Sequence, residues 1–484
     1  MSMKDELEKI AGKENVSDAG DDLRGYSRDF SLLPPGMANI IVKPETSEQI
    51  SAVVKWANTN NVPIVPVSSK VHFHGCTIPK QGGIILDLGK MNKIIENDVF
   101  DRRCRIEPGV TWKQLVEELD KKGMRMVMPL LPHPERSVLT DYLERAVPTN
   151  TVYDYGEPMQ SMEVVWPTGE IFRTGSASVT GYPNAKARGN NPSGPGLDFY
   201  RLLQGAQGTM GTVTWASLKT ESKPQIDKIL FAPITNLARG QEFLYRILPR
   251  RIGQEVLLLN NVDLATILAD EWPNDFENLR STLPAWTLVL VICGLVRRPE
   301  EKVAYEENFL NDVLKNEFKD ISLTDNLPGF PGIGRKLLPM LRNPWTKEVY
   351  WKNQWKGASQ SLFFIGKPKD TPKFVSIMQA VAVQHGYVPE DIGMYIQPIE
   401  HNRACQVEFT FFYDSECESA KAAMADLYQS AAVALIGAGA YFNRPYGVLA
   451  PMMYERAGSY TALLKQVKGI FDPNNIMNPG NLCF

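Results

Sequence analysis

The chain has 484 residues, 43% of them hydrophobic: length enough for two or three domains, and far too apolar for a disordered tract. Lys and Arg number 52 against 55 Asp and Glu, and the net charge of −3 lacks the basic surplus of a nucleic-acid binder. The longest apolar run, residues 285–296, contains Cys293 and Gly294 and is shorter than the ~20 residues that span a bilayer, so it predicts a core strand and no membrane span.

In chain order, residues 1–35 read as a short helix carrying Leu7, Ile10 and Ala11, followed by a polar lead-in. Lys4, Asp5, Glu6, Glu8 and Lys9 leave no apolar stretch for a secretory signal. From residue 39 the pattern sharpens. Ile40, Ile41 and Val42 make a strand, Thr46 with Gln49 a capping box, and Ile50, Val53, Val54 and Ala57 one face of a helix; residues 62–67 and 84–88 are strands. The unit repeats with a strand at 104–107, a second capping box at Thr111 and Gln114, and a helix through Leu115, Val116 and Leu119 that stops at Gly123. Residues 161–166 and 170–174 flank Pro167-Thr168-Gly169, a hairpin signal. Residues 175–203, rich in Gly, Pro and Asn, predict a long surface or active-site loop, and 213–218 return to a strand.

Beyond Ser222-Lys223-Pro224, strands and helices cease to alternate briskly. Runs at 257–260, 286–291 and 406–412 predict a second, α+β domain reaching to about residue 436. Residues 437–446 are Gly- and aromatic-rich, a helix then carries Leu463, Leu464, Val467 and Ile470, and Asn/Pro turns follow. Cys76, Cys104, Cys293, Cys405, Cys417 and Cys483 are scattered without a C-x-x-C, which predicts neither a zinc ribbon nor a cysteine-held iron–sulfur cluster and fits a reducing, cytoplasmic location. The five histidines include no H-E-x-x-H, so no metal is expected.

Three patches stand out. Pro66-Val67-Ser68-Ser69-Lys70 closes the first strand–helix–strand unit, where backbone N–H groups, two hydroxyls and an ammonium converge as a phosphate cradle requires; a polar turn without a ligand is the plain alternative. Residues 205–214, Gly-Ala-Gln-Gly-Thr-Met-Gly-Thr-Val-Thr, place glycines ahead of a β-branched strand, which permits close approach to a planar ring. Residues 471–480, Phe-Asp-Pro-Asn-Asn-Ile-Met-Asn-Pro-Gly, read as a helix stop.

In that order the three patches resemble the FAD-linked oxidases of the vanillyl-alcohol oxidase and p-cresol methylhydroxylase (PCMH) family, a fold shared with glycolate oxidases and D-lactate dehydrogenases. The resemblance covers residues 38–220 and 437–480. It implies an α+β chain: a PCMH-type, two-subdomain FAD-binding domain over 1–222 (core about 36–222), a substrate or cap domain with an antiparallel sheet over 223–436, and a segment, 437–484, returning to the FAD domain. It places FAD, held non-covalently, against Pro66, Val67, Ser68, Ser69, Lys70, Val71, His72, Ser137, Asp141, Gly208, Gly211, Thr212 and Val213. His401 lies about two places from the position of a covalent flavin histidine.

The same resemblance selects the substrate side: Arg444 is kept from a Tyr-Arg pair whose Tyr is here Asn443, Tyr446 stands where relatives often carry His, and His74 falls where a substrate Tyr sits. The position of the usual Asp base is Pro132, leaving His133 and Glu135 as the nearest titratable groups. Plain alternatives remain: a salt bridge for Arg444, a core histidine for His74 and a surface-loop histidine for His133. The implied function is an FAD-dependent oxidoreductase, a dehydrogenase rather than an oxidase, that takes hydride from an aromatic alcohol or phenol-like substrate to flavin N5. The alternatives are a 2-hydroxy-acid (lactate- or glycolate-type) dehydrogenase and the flavin subunit of a larger electron-transfer complex. Expected partners are the small-molecule substrate, a redox protein (iron–sulfur, cytochrome or electron-transfer flavoprotein) and a second copy in a homodimer, with no nucleic acid.

Overall fold

The computed structural model describes residues 2–150, 158–179 and 191–484. Its first unit is a small sheet in which Ile84–Asp87 lies parallel between Ile40–Val42 and Ile64–Val67, with Val16–Ser17 antiparallel at the edge. The crossover helix Ser47–Asn60 buries Ile50, Val53, Val54 and Ala57. Thr46 caps it, accepting from the Gln49 amide at 3.2 Å, but the Gln49 side chain accepts from the amide of Glu45 rather than closing the box on Thr46.

The second unit is a five-stranded antiparallel sheet in the order Ile94–Asp98, Arg103–Ile106, Thr212–Lys219, Met159–Val165, Ile171–Arg173. Its hairpin turns at Gly169 (φ +84°), where the predicted Pro-Thr-Gly stands. Helices Trp112–Asp120 and Val138–Leu143 pack on it through Trp112, Leu115, Leu119, Val138 and Tyr142. Of the predicted loop at 175–203, residues 180–190 lie outside the described residues; the flanks are single turns at Gly175–Ser178 and Phe199–Leu202.

The third unit is a six-stranded antiparallel sheet ordered Ile226–Ile234, Trp286–Gly294, Glu255–Asn260, Gly393–Ile399, Ala404–Asp414, Gly357–Gly366. The apolar run read at 285–296 is the strand Trp286–Gly294, buried along its whole length because both sheet faces are covered. One face, with Leu258, Leu288, Leu290, Phe364 and Phe409, packs against four helices: Leu237–Ile247, Pro299–Glu317, Thr371–Gln384 and Glu418–Gly437. The opposite face is apolar over Phe231, Leu257, Leu259 and Val289, then turns polar over the last three strands. There the two-residue period aligns Ser361, Phe363, Tyr395, Gln397, Gln406, Glu408 and Thr410 on one side. A buried polar sheet face is costly without partners, and this one floors a cavity.

The C-terminal segment returns to the first two units. Tyr441 bridges Ile365, and residues 476–478 add beside Ile64, whose amide donates to Ile476 O at 2.7 Å and whose carbonyl accepts from Asn478 N at 2.8 Å. The helix Gly458–Phe471 differs from its sequence pattern: it buries Lys468, while Leu463 (61%) and Ile470 (74%) stay exposed. No helix among the described residues is long and apolar enough to cross a membrane.

Candidate active site

The strand Ile64–Val67 delivers Pro66, Val67 and Ser68 to the rim of an elongated cavity of ≈ 750 Å³. His72, Cys76, Thr77 and Thr140 line it further on, and the loop before strand Thr212–Lys219 closes it with Gly208, Gly211, Thr212 and Val213. The glycines are needed where they stand. Gly208 has φ +74°, and a Cβ there would lie 2.7 Å from Cγ of Pro66; at Gly211 (φ +147°) it would meet Val165 O at 3.0 Å. The Thr212 hydroxyl is buried without a partner, a vacancy for an acceptor of the kind a phosphate or flavin carbonyl supplies. Ser68 is tied to Thr140 by a hydroxyl–hydroxyl bond. The cradle fits a dinucleotide: hydroxyl-bearing and small residues line it, the Thr212 hydroxyl is unpartnered, and Glu144 lines both it and a second cavity.

The second cavity, ≈ 990 Å³ to its open mouth, lies between the polar sheet face and the first two units. Its walls are aromatic: Phe30, Phe73, His74, His133, Tyr350, Trp351, Phe363 and Tyr395. Arg444 enters from the C-terminal segment with its guanidinium 4.1 Å over the Phe363 ring. It donates to Oε1 of Gln406 at 2.9 Å, a neutral amide, and its Nε is buried without a partner. No carboxylate pairs with Arg444 among the described residues.

His74 stacks on Tyr446 (4.3 Å between centroids) and meets Phe363 edge-on, so rings rather than a hydrogen bond hold it. Burial, reinforced by Arg136, Arg444 and Lys352, pushes its pKa well below the ordinary 6.5, leaving a neutral imidazole. Burial and Arg136 likewise lower His72 to about 3, and burial lowers His133. Arg136 donates to Asp141 at 2.5 Å, to Glu144 at 2.6 Å and to the Val71 carbonyl at 3.0 Å. Burial opposes its charge, but the two carboxylates more than offset that and raise its pKa. Burial raises the Glu144 carboxyl, against the pull of Arg136.

The structure thus gathers His74, His133 and Arg444 around one cavity, and Pro66, Val67, Ser68, His72, Gly208, Gly211, Thr212 and Val213 around the other. Other named positions lie elsewhere. Lys70 is exposed and, with Ser69, off the lining; Val71 offers its carbonyl to Arg136. Ser137 is a helix cap whose Oγ donates to Pro108 O at 2.6 Å. Asp141 is taken by Arg136 and by the Trp112 indole, and faces the aromatic cavity rather than the dinucleotide slot. Tyr446 is a buried backing for His74, and the Asn443 amide is buried without a partner and off the lining. Sequence reading missed Lys352, Gln406 and Glu408: the pairing of Gly357–Gly366 on Ala404–Asp414 sets Gln406 and Glu408 in the floor beside Ser361 and Phe363, and Lys352 reaches them from the turn Trp351–Asn353. Period-two polarity at 406 and 408 inside an apolar run was the available signal.

Residues 38–175 match the FAD binding domain family, and residues 450–482 the C-terminal domain of FAD linked oxidases. The chain is 27% identical over 260 residues to glycolate oxidase subunit GlcD of Bacillus subtilis, covering 52% of this chain and 51% of that one. It is 30% identical over 190 residues to the mitochondrial D-lactate dehydrogenase [cytochrome] of Arabidopsis thaliana, covering 39% and 31%. The match therefore spans about half, or less, of these curated relatives. The crystal structure of p-cresol methylhydroxylase with substrate bound superposes with a TM-score of 0.84 at 21% identity, over 99% of this chain and 96% of that one. Residues 38–175 and 450–482 thus carry an FAD binding domain and an FAD linked oxidase C-terminal domain, on a chain with the fold of p-cresol methylhydroxylase around a cradle shaped for a dinucleotide.

Proposed function

We propose that the chain dehydrogenates a small organic anion of the aromatic alcohol or phenol class, at a C–H next to a hydroxyl or to the ring. The observation that carries this is Arg444: a buried guanidinium hydrogen-bonded to a neutral amide, with an unpartnered Nε, in a cavity with aromatic walls. Glu144 lies near enough to feel the charge but not to pair with it, and a phenolate or carboxylate in direct contact completes the buried cation's hydrogen bonds. FAD, when bound, supplies the two-electron acceptor at N5.

The chain's own residues do the rest. Arg444 holds the anionic group, and the aromatic walls, the neutral His74 among them, exclude water and sandwich the ring. A second reading, a 2-hydroxy acid held by its carboxylate, is favoured by Asn443, which leaves the arginine without a neighbouring phenol-binding tyrosine, and by relatives named for glycolate and D-lactate. Anaerobic titration of the flavin absorbance with aromatic alcohols, alkylphenols and 2-hydroxy acids decides. Bleaching by the first two classes supports the proposal; bleaching by 2-hydroxy acids alone overturns it in favour of the second.

A further inference from the structure

Beyond Gln406 from Arg444, and apart from the Arg136–Asp141–Glu144 cluster, the floor of the cavity carries an ion pair of its own. Lys352 donates to Glu408 and, at 3.0 Å, to Oγ of Ser361; their side chains are 19% and 10% exposed, and all three residues line the cavity. Gln406 joins the two ends: Oε1 accepts from Arg444, while Nε2 donates to Oε2 of Glu408 at 3.4 Å. Gln406 and Glu408 are two residues apart on one strand and face the same way, so their Cα atoms stand roughly 7 Å apart, and a para-substituted ring is long enough to lie across Gln406 from one pole to the other. A sequestered ion pair is weaker than apolar packing of equal volume. An apolar substrate terminus would leave that pair desolvated with nothing added, whereas a hydroxyl can accept from Lys352 and donate to Glu408 at once.

We infer that Lys352 and Glu408 are specificity residues that read the far end of the substrate, which therefore carries a hydrogen-bonding group para to its anionic one. The inference rests on the proposed anion site at Arg444. Neither residue touches the reacting carbon in this assignment; they select and align.

Equilibrium binding to the oxidised holoenzyme tests it without turnover, using the flavin absorbance change with benzoate, 4-methylbenzoate and 4-hydroxybenzoate. The 4-hydroxy compound should bind about tenfold or more tighter than its methyl counterpart, as one charge-assisted hydrogen bond predicts. In the charge-neutral double variant Lys352→Met/Glu408→Gln, which avoids stranding either ion, that preference should fall to about twofold or less while benzoate affinity is kept; Lys352→Arg should retain it. Equal binding of the two para compounds by the unaltered protein, or a preference that survives in the double variant, overturns the inference. Failure of benzoate to bind, or benzoate binding undiminished in Arg444→Met, overturns the anion site itself and the second pole with it.

Discussion

Arg444 and His74 show how side-chain surroundings set chemistry. Replacing Arg444 by Met should lower kcat/KM per bound FAD about ten- to a hundredfold, the worth of a charge-assisted bond of ~1.5–3 kcal/mol, with FAD retained. Lys should be intermediate, because it keeps the charge but loses the planar fork. Unchanged turnover per flavin in a folded Met variant would remove the arginine from the site. The histidines make a second prediction. His72 resists protonation in the folded chain down to about 3, so below about pH 6.5 the unfolded chain binds more protons and stability falls as pH falls. His74, lowered by the same burial, adds in the same direction. Between pH 6.5 and 5 the loss from His72 alone should approach ~2 kcal/mol, read from urea midpoints. His72→Gln, which can still donate to the Ser69 carbonyl, should show a flatter profile; an identical slope would refute the assignment.

Among the elements, the helix Gly458–Phe471 is anchored by an ammonium beside the core contacts of Val467 and Phe471. Lys468 donates to Thr209 O at 2.6 Å, to Met477 O at 3.2 Å and to Asp472, whose carboxylate also accepts from the amides of Ile476 and Met477. Thr209 lies between the two cradle glycines, so Lys468→Met should weaken FAD binding by about tenfold or more in apoprotein titrations, with Lys468→Arg milder. Wild-type affinity in the Met variant would show the brace to be dispensable. The sequence announced this helix by its spacing but not its orientation, since Leu463 and Ile470 imply the opposite face. Capping residues and β-branched runs made the first two units legible, because those signals are local. The cavity floor was not, because Ser361, Gln406 and Glu408 meet through pairing some forty residues apart, and Lys352 reaches them from a turn with no periodicity of its own.

For the molecule as a whole, the ion cluster at the seam fixes how the units meet. Arg125 donates to Glu255 at 2.8 Å and to Glu221 at 3.1 Å, and Arg342 pairs with Asp227 and Glu255, so the second unit and the six-stranded sheet share one set of charges. The dinucleotide cavity lies between the first two units and the aromatic cavity between them and the six-stranded sheet, and His401, in the turn between Gly393–Ile399 and Ala404–Asp414, lines neither. Acid precipitation should therefore release all the flavin into the supernatant; yellow colour kept in the pellet would establish a covalent link.

The pairing of residues 476–478 with Ile64 also dictates an order of events at the ribosome. Asn478 Nδ2 donates to Cys76 O at 2.8 Å and to Gln207 O at 2.7 Å, pinning the two loops that form the cradle walls. Those loops emerge early in synthesis, yet the residue that locks them together emerges some 270 residues after the second. A nascent chain therefore exposes both walls of the cradle well before the residue that pins them together, and the pocket's final shape is set after its parts are made.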